Sequence, residues 1–327
     1  MTVKDPAELV GELAEGYVGS RCLHVIASLG VCDVLSDVPV GLTDIAREVG
    51  ADPPSLGRVM RHLASLGIFE MTDGSFRHND ASQLLTSDHP SGLLPLTLML
   101  GLPIMWDSLG VLEESVKSGR PGAESLDRDG FFAYLDSHPG ESTIYDEGMT
   151  AMTLRRVERI VPNYDFSAFA TIADIGGGRG HLLRAVLDRT RSAKGILFDR
   201  PQVLATVDGG DRIQLQPGSF LSDPLPAADC YLLSNIVHDW GDDDAIAILT
   251  AVRTAATADS TLLLFEFVIP DDAEPFVASD VDVYMLALVG GRERTLAEYE
   301  RLLAASGWRL IRDVATPSQT IIEARPS

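Results

Sequence analysis

Apolar positions near the start of the chain recur with helical spacing. Leu9, Leu13, Val18, Leu23, Ile26 and Leu29 share one face and predict a helix over 7–36. Between 42 and 86 the rhythm shortens. "LTDIAREVG" predicts a helix opened by a Thr43 cap and closed at Gly50. "PPSLGRVMRHLASLG" predicts a second helix, opened by prolines and closed by Gly67. "IFEMTDGSFRHN" predicts a hairpin that turns at Asp73-Gly74. From about 91 to 165 the pattern is helical with loops and rich in Met, Trp, Phe and Tyr. From about 166 strands alternate with helices. The strands are expected at 171–175, 195–198, 212–215, 229–234, 261–267, 309–314 and 319–324, the helices at 180–190, 242–257 and 295–306. That alternation predicts an α/β doubly wound sheet, mostly parallel, with the last two strands paired antiparallel at one edge. Ligands of such sheets bind beyond the carboxyl ends of the strands.

Two helices and a hairpin describe a winged helix, which raises DNA binding through Arg58, Arg61 and His62. Charge turns the reading toward packing or dimerisation. The chain of 327 residues carries a net charge of −22, and Asp44, Glu48 and Asp52 flank the candidate reading helix. Neither nucleic acid nor an anionic membrane suits such a field. The length suffices for two domains, and 45% hydrophobic residues suffice for real cores. The start, "MTVKDPAELV", shows no signal-peptide pattern, and the apolar run 93–105 is too short for a bilayer and holds two prolines. Cys22, Cys32 and Cys230 form no CxxC pair, which fits a reducing, cytoplasmic setting.

The chemistry begins at "TIADIGGGRGHLL", residues 171–183. No Gly-Lys-Ser/Thr follows, so the turn is not a P-loop. Its spacing, Gly176, Gly178 and Gly180, departs from the dinucleotide fingerprint. Asp199 ends "GILFD", about the interval past the last glycine at which an acid binds ribose hydroxyls. Asp174 stands just before the turn, where it would repel a pyrophosphate. It suits S-adenosylmethionine, which carries a ribose, an ammonium and a sulfonium but no phosphate. Its bland alternative is a loop brace.

With "DIGGGRG", "LLSNIVHDWGDDDA" and "MLALVGGRERTLAEYERLLAASGW", nearly the whole chain resembles the class I S-adenosylmethionine-dependent O-methyltransferases of the plant caffeate type and their bacterial natural-product relatives. The resemblance implies a winged-helix homodimerisation domain over 1–90, a helical connector over 91–165 that contributes to the substrate pocket, and a Rossmann-like methyltransferase domain over 166–327. It implies His238 as general base, with Glu266 and Glu293 as its supporting acids. It places the cofactor against Asp174, Gly176, Gly178, Asp199, Ser219, Phe220, Ser234 and Trp240. Ser219 departs from the pattern, because relatives usually carry an acid after that glycine; at Ser234 they often carry a basic residue. Trp106, Phe131, Tyr145, Met149, Met152 and Met285 become candidate pocket walls for a flat phenolic acceptor of specialised metabolism.

The residue types suit that role. A histidine with an ordinary pKa of about 6.5 can take a proton near neutrality as an oxygen is methylated. The acids Asp242, Asp243 and Asp244 are read as helix N-terminal charges rather than metal ligands. The histidines lack metal-ligand spacing, so metal-independent transfer is expected. Three other readings stand beside this one. The same fold and cofactor could serve non-methylating chemistry, such as hydroxylation, decarboxylation or a pericyclic step. A winged-helix small-molecule sensor and an NAD-dependent oxidoreductase complete the set.

Overall fold

The computed structural model describes residues 5–270 and 278–327. The chain divides into two compact units. One runs up to Trp106 and adds Leu135–Met152; the other holds Asp107–Tyr134 and Thr153–Ser327. The segment 91–165 is thus shared between the two units.

In the first unit, Asp5 caps the helix Pro6–Ser28 by accepting the Ala7 N–H at 2.7 Å. The helix stops sooner than the periodicity implies. Gly30 takes a left-handed φ of 67°, and a separate turn follows over Val31–Val34. Thr43 does not cap the next helix, Leu42–Glu48, whose N-cap is Gly41. The reason lies in pairing that the local pattern hides: Val40–Gly41 is a strand, with Val40 opposite Phe76, and the chain passes straight from it into the helix. Asp52 caps Pro53–Ser65 through the Ser55 N–H at 3.0 Å. The hairpin Glu70–Thr72/Ser75–Arg77 turns at Asp73 and Gly74, both at positive φ as a mirror-image turn requires. Ile26, Ile45, Leu56, Met60, Leu63, Phe69 and Phe76 form this unit's core.

The second unit is built on a seven-stranded sheet. In chain order the strands are Thr171–Ile175, Lys194–Asp199, Ile213–Pro217, Cys230–Ser234, Thr261–Glu266, Trp308–Ala315 and Thr320–Pro326. In space the order is third, second, first, fourth, fifth, seventh, sixth. The first five are parallel; the seventh lies antiparallel between the fifth and sixth. All six residues of the fifth strand are buried, as expected of a strand covered on both faces. One face packs against Asp242–Ala255 and Leu296–Ala305 through Ile248, Leu249, Val252, Tyr299, Leu302 and Leu303. The other packs against His181–Arg189 through Leu182, Leu183, Val186 and Leu187. Each such side chain contributes about 1.5–3 kcal/mol on burial. The two layers fix the strand ends, and the residues of interest sit on those ends. Among the described residues no single helix is long and apolar enough to cross a membrane; the apolar pair Leu93–Leu100 and Pro103–Gly110 is bent by 48°.

Candidate active site

The glycine turn leaves the carboxyl end of the first strand. Gly176 has φ 70°, and a Cβ there would meet Ile236 Cδ1 at 2.6 Å and Phe220 Cε1 at 3.4 Å. Conformation and space both demand glycine. The Gly178 N–H donates to Asp199 Oδ2 at 2.7 Å, and the Arg200 N–H donates to Asp199 Oδ1 at 2.7 Å. Burial still raises the Asp199 carboxyl above its ordinary value, against these two bonds. Asp174 is 1% exposed, and neither carboxylate oxygen has a hydrogen-bond partner among the described residues. It lies so close to the turn that a Cβ on Gly177 would stand 2.5 Å from its Oδ2. Burial, reinforced by the charge of Asp199 and only partly offset by the Leu183 backbone amide, pushes the Asp174 carboxyl up to about 7. An unsatisfied buried group of this kind costs about 1–3 kcal/mol, more if charged.

An apolar wall stands beside the turn. Phe220 and Trp240 meet edge to face at 5.9 Å and pack with Ile236. Ser219 is engaged locally: its N–H donates to Asp223 Oδ2 at 2.7 Å, and its hydroxyl accepts the Leu221 N–H at 3.3 Å. Ser234 ends the fourth strand, half-buried.

One strand over, the chain leaves Ser234 through Asn235 at φ 54° and enters the turn Val237–Asp239. His238 in that turn is 4% exposed. Its Nδ1 lies 2.7 Å from Glu293 Oε1 and 3.8 Å from Glu266 Oε2. The two acids divide the work. Glu293 bonds the ring. Glu266, last residue of the fifth strand, accepts the Ile236 N–H at 3.2 Å and the Val237 N–H at 2.9 Å through Oε1, and so holds the backbone of the turn. A parallel pairing of Val268–Ile269 with Arg294–Thr295 brings Glu293 to the end of the Glu266 strand. Asp282 Oδ1 accepts the Glu293 N–H at 2.8 Å.

Sequence reasoning passed over Asp239, although it adjoins His238. Its Oδ1 lies 3.5 Å from His238 Nε2, the nitrogen that Glu293 leaves open. Three carboxylates therefore surround one buried ring. Burial disfavours the charged imidazole, but Glu266, Asp239 and Glu293 outweigh it and push the ring up to about 9. Burial raises Glu266 to about 7 and Asp239 to about 6, each partly offset by His238. His238, Glu266 and Glu293 offer donor atoms within 4.8 Å of one another, close enough for a metal ion. A tetrahedral ion at ~2.1 Å from each ligand would hold two of them about 3.4 Å apart. The 2.7 Å between His238 and Glu293 is instead a hydrogen-bond distance.

Asp242 was expected to act as a helix-terminal charge. It does lie in the first turn of Asp242–Ala255, yet it also pairs with Arg292 at 2.9 Å and with the buried Arg294 at 2.8 Å. Of the expected pocket walls, Trp106, Tyr145, Met149 and Met152 belong to the first unit; Phe131 and Met285 belong to the second. Trp106 packs edge to face on His24 at 5.6 Å, and Phe131 on Phe132 at 5.3 Å.

Comparison with known proteins places the chain in a family. Residues 111–309 match the O-methyltransferase domain, and residues 11–88 match the O-methyltransferase dimerisation domain. The phenazine O-methyltransferase PhzM of Lysobacter antibioticus is 37% identical over 324 residues, covering 96% of this chain and 95% of that enzyme. The mitomycin biosynthesis 6-O-methyltransferase of Streptomyces lavendulae is 34% identical, covering 94% and 90%. The O-methyltransferase NcsB1 of neocarzinostatin biosynthesis, solved with S-adenosylmethionine and 2-hydroxy-5-methyl naphthoic acid, superposes with a TM-score of 0.83 at 29% identity over 95% of this chain and 96% of that one. The chain belongs to the O-methyltransferase family, and it is an O-methyltransferase that draws on S-adenosylmethionine.

Proposed function

We propose that the protein methylates a phenolic hydroxyl of a polycyclic aromatic metabolite, with His238 as general base and without a metal. The observation that carries this reading is the His238–Glu293 contact at 2.7 Å, which leaves Nε2 open. A Glu293 carboxylate that accepts from Nδ1–H leaves Nε2, faced by Asp239 Oδ1 at 3.5 Å, as the nitrogen that exchanges a proton, and its lone pair is free once the ring, pushed up to about 9, has lost that proton. S-adenosylmethionine supplies an electrophilic methyl on a sulfonium, whose positive charge also favours the neutral imidazole. With that donor bound, Nε2 would take the hydroxyl proton as the methyl passes to the acceptor oxygen and S-adenosylhomocysteine is left. Glu293 and Glu266 then stabilise the imidazolium.

The residues of the glycine turn fit the donor. Asp174 offers a cationic ligand two buried oxygens that have no partner within hydrogen-bond distance among the described residues, and Asp199 stands at the end of the second strand for ribose hydroxyls. Gly176 and Gly178 give the backbone its close approach, and Phe220 and Trp240 supply an apolar wall. Ser219 and Ser234 are proposed as polar contacts of the same ligand, and Ile236 as part of its wall. Phe131 and Met285, which belong to the same unit as His238, are proposed as acceptor contacts. The curated relatives carry aromatic natural-product names, phenazine and mitomycin among them, and the NcsB1 complex holds a hydroxynaphthoic acid. The exposed apolar side chains Leu9, Val10, Leu13 and Tyr17 of the first helix are proposed to lie in the homodimer interface, since residues 11–88 match the dimerisation domain.

The test is calorimetric titration with S-adenosylhomocysteine and with NAD, then mass spectrometry of hydroxynaphthoic acids incubated with enzyme and S-adenosylmethionine. Binding of S-adenosylhomocysteine alone, with a methylated product, is expected. NAD binding, or a product altered without added methyl, would overturn the reading.

A further inference from the structure

Glu293 and His238 lie 55 residues apart in the chain, yet their contact must hold to a fraction of an ångström. The side chain next to Glu293 explains how. Arg294 is 0% exposed, and its guanidinium spends all five N–H donors. Nη1 donates to Val237 O at 3.1 Å and to Arg292 O at 3.3 Å. Nη2 donates to Trp240 O at 2.7 Å and to Asp242 Oδ1 at 2.8 Å, and Nε donates to the same Asp242 oxygen at 3.1 Å. The carbonyls it grips, those of Val237 and Trp240, bracket His238 and Asp239. The carbonyl of His238 accepts the Arg292 N–H at 2.9 Å. The loop approaches so closely that a Cβ on Gly291 would stand 2.0 Å from His238 O and 2.6 Å from the Asp239 carbonyl carbon. A buried guanidinium is tolerated only when paired, and Asp242, half-exposed at the start of its helix, supplies the counter-charge.

We propose that Arg294, with Asp242 as its counter-ion and Gly291 as the point of close approach, is a positioning residue that fixes the peptide groups around His238 and thereby sets the imidazole against Glu293. The proposal rests on the reading of His238 as base, but the contact it describes can be measured without catalysis. Tyr299, Glu266 and Asp239 also face the cluster; the buried Tyr299 hydroxyl feels the charges of Glu266, Glu293 and Arg294.

Arg294→Lys keeps the charge and offers three donors in place of five. Gly291→Ala forces the loop away while leaving Arg294 intact, and decides the matter if Arg294→Lys does not fold. Each variant is made in the full chain labelled with 15N-histidine, and the His238 signals are assigned by their loss in His238→Gln. In both variants the Nδ1 signal is expected to lose its hydrogen-bonded character and the His238 midpoint to fall by about one unit. The affinity for S-adenosylhomocysteine is expected to stay unchanged, while kcat on a hydroxynaphthoic acid falls ~10- to 100-fold, as for a misplacement near 1 Å. Unaltered His238 signals in both variants would overturn the proposal. So would joint loss of cofactor affinity, Tm and kcat in both, which would make Arg294 merely structural. Failure of the base reading is separate: it would appear as near-normal turnover in His238→Ala.

Discussion

Two loops at the same edge of one sheet treat their polar groups in opposite ways. The turn after the first strand leaves Asp174 buried with both oxygens unpartnered among the described residues. The turn after the fourth strand is held from within through one oxygen of each acid, His238 by Glu293 Oε1 and the Val237 amide by Glu266 Oε1, with the flanking carbonyls held by Arg294, while Glu266 Oε2 and Glu293 Oε2 are without a hydrogen-bond partner among the described residues. On the proposed reading, the difference follows from what each loop does. A loop that binds a cationic donor gains affinity by keeping an acid unsatisfied until the donor arrives. A loop that moves a proton must hold its base in place before the acceptor binds, so its bonds are made by the protein.

The sharpest way to break this division is to remove the base. His238→Ala is expected to bind S-adenosylhomocysteine as the parent does while turnover drops by about 10²- to 10⁴-fold. Equal loss of binding and turnover, followed by calorimetry and initial rates, would merge the two loops into one function.

Asp174→Asn probes the other side and should act in two directions. It is expected to weaken S-adenosylhomocysteine by roughly tenfold, about 1.4 kcal/mol. It should also stabilise the ligand-free protein at pH 8. The sign follows from the shift. The folded carboxyl, pushed up to about 7, lies above the unfolded value of 3.8, so ionisation opposes folding. That penalty is absent below pH 3.8, grows through pH 7 and is full at pH 8. Melting curves should show a higher Tm for the variant at pH 8 and no gain at pH 4.

The smallest effect expected is none. Dialysis against EDTA should leave the rate unchanged, because His238 Nδ1 and Glu293 Oε1, 2.7 Å apart, lie closer than two ligands of one ion would. A rate lost in EDTA and restored by magnesium would turn the His238, Glu266 and Glu293 cluster into a metal centre.

Much of this was legible in the chain because it is local. The glycine turn, the Asp199 interval and the histidine after the fourth strand are short-range patterns, and the sheet strands fall within a residue or two of their expected bounds. What escaped depends on distant partners. The strand Val40–Gly41 exists because Phe76 lies opposite, so Thr43 read wrongly as a cap. Gly30 ends the first helix through a left-handed φ that an otherwise continuous apolar stripe conceals. Asp242 read as a helix-terminal acid because its guanidinium partners lie 50 and 52 residues on. Arg294 sat inside a motif that drew attention to Glu293. Asp239 could have been found, since an acid next to a buried histidine in a tight turn has little room to point elsewhere.

The central claim, that His238 is the base and Glu293 holds it, is tested most directly by the pH dependence of kcat/KM for the parent and for Glu293→Gln. Catalysis needs the neutral imidazole, so the rate should rise with pH as His238 loses its proton. The three surrounding carboxylates place that limb well above 6.5, toward the value of about 9. Removing one negative charge in Glu293→Gln should lower the limb toward 6.5 and reduce the plateau ~10- to 100-fold. A limb that stays where it was in Glu293→Gln, or a parent rate that does not rise with pH, would contradict the account.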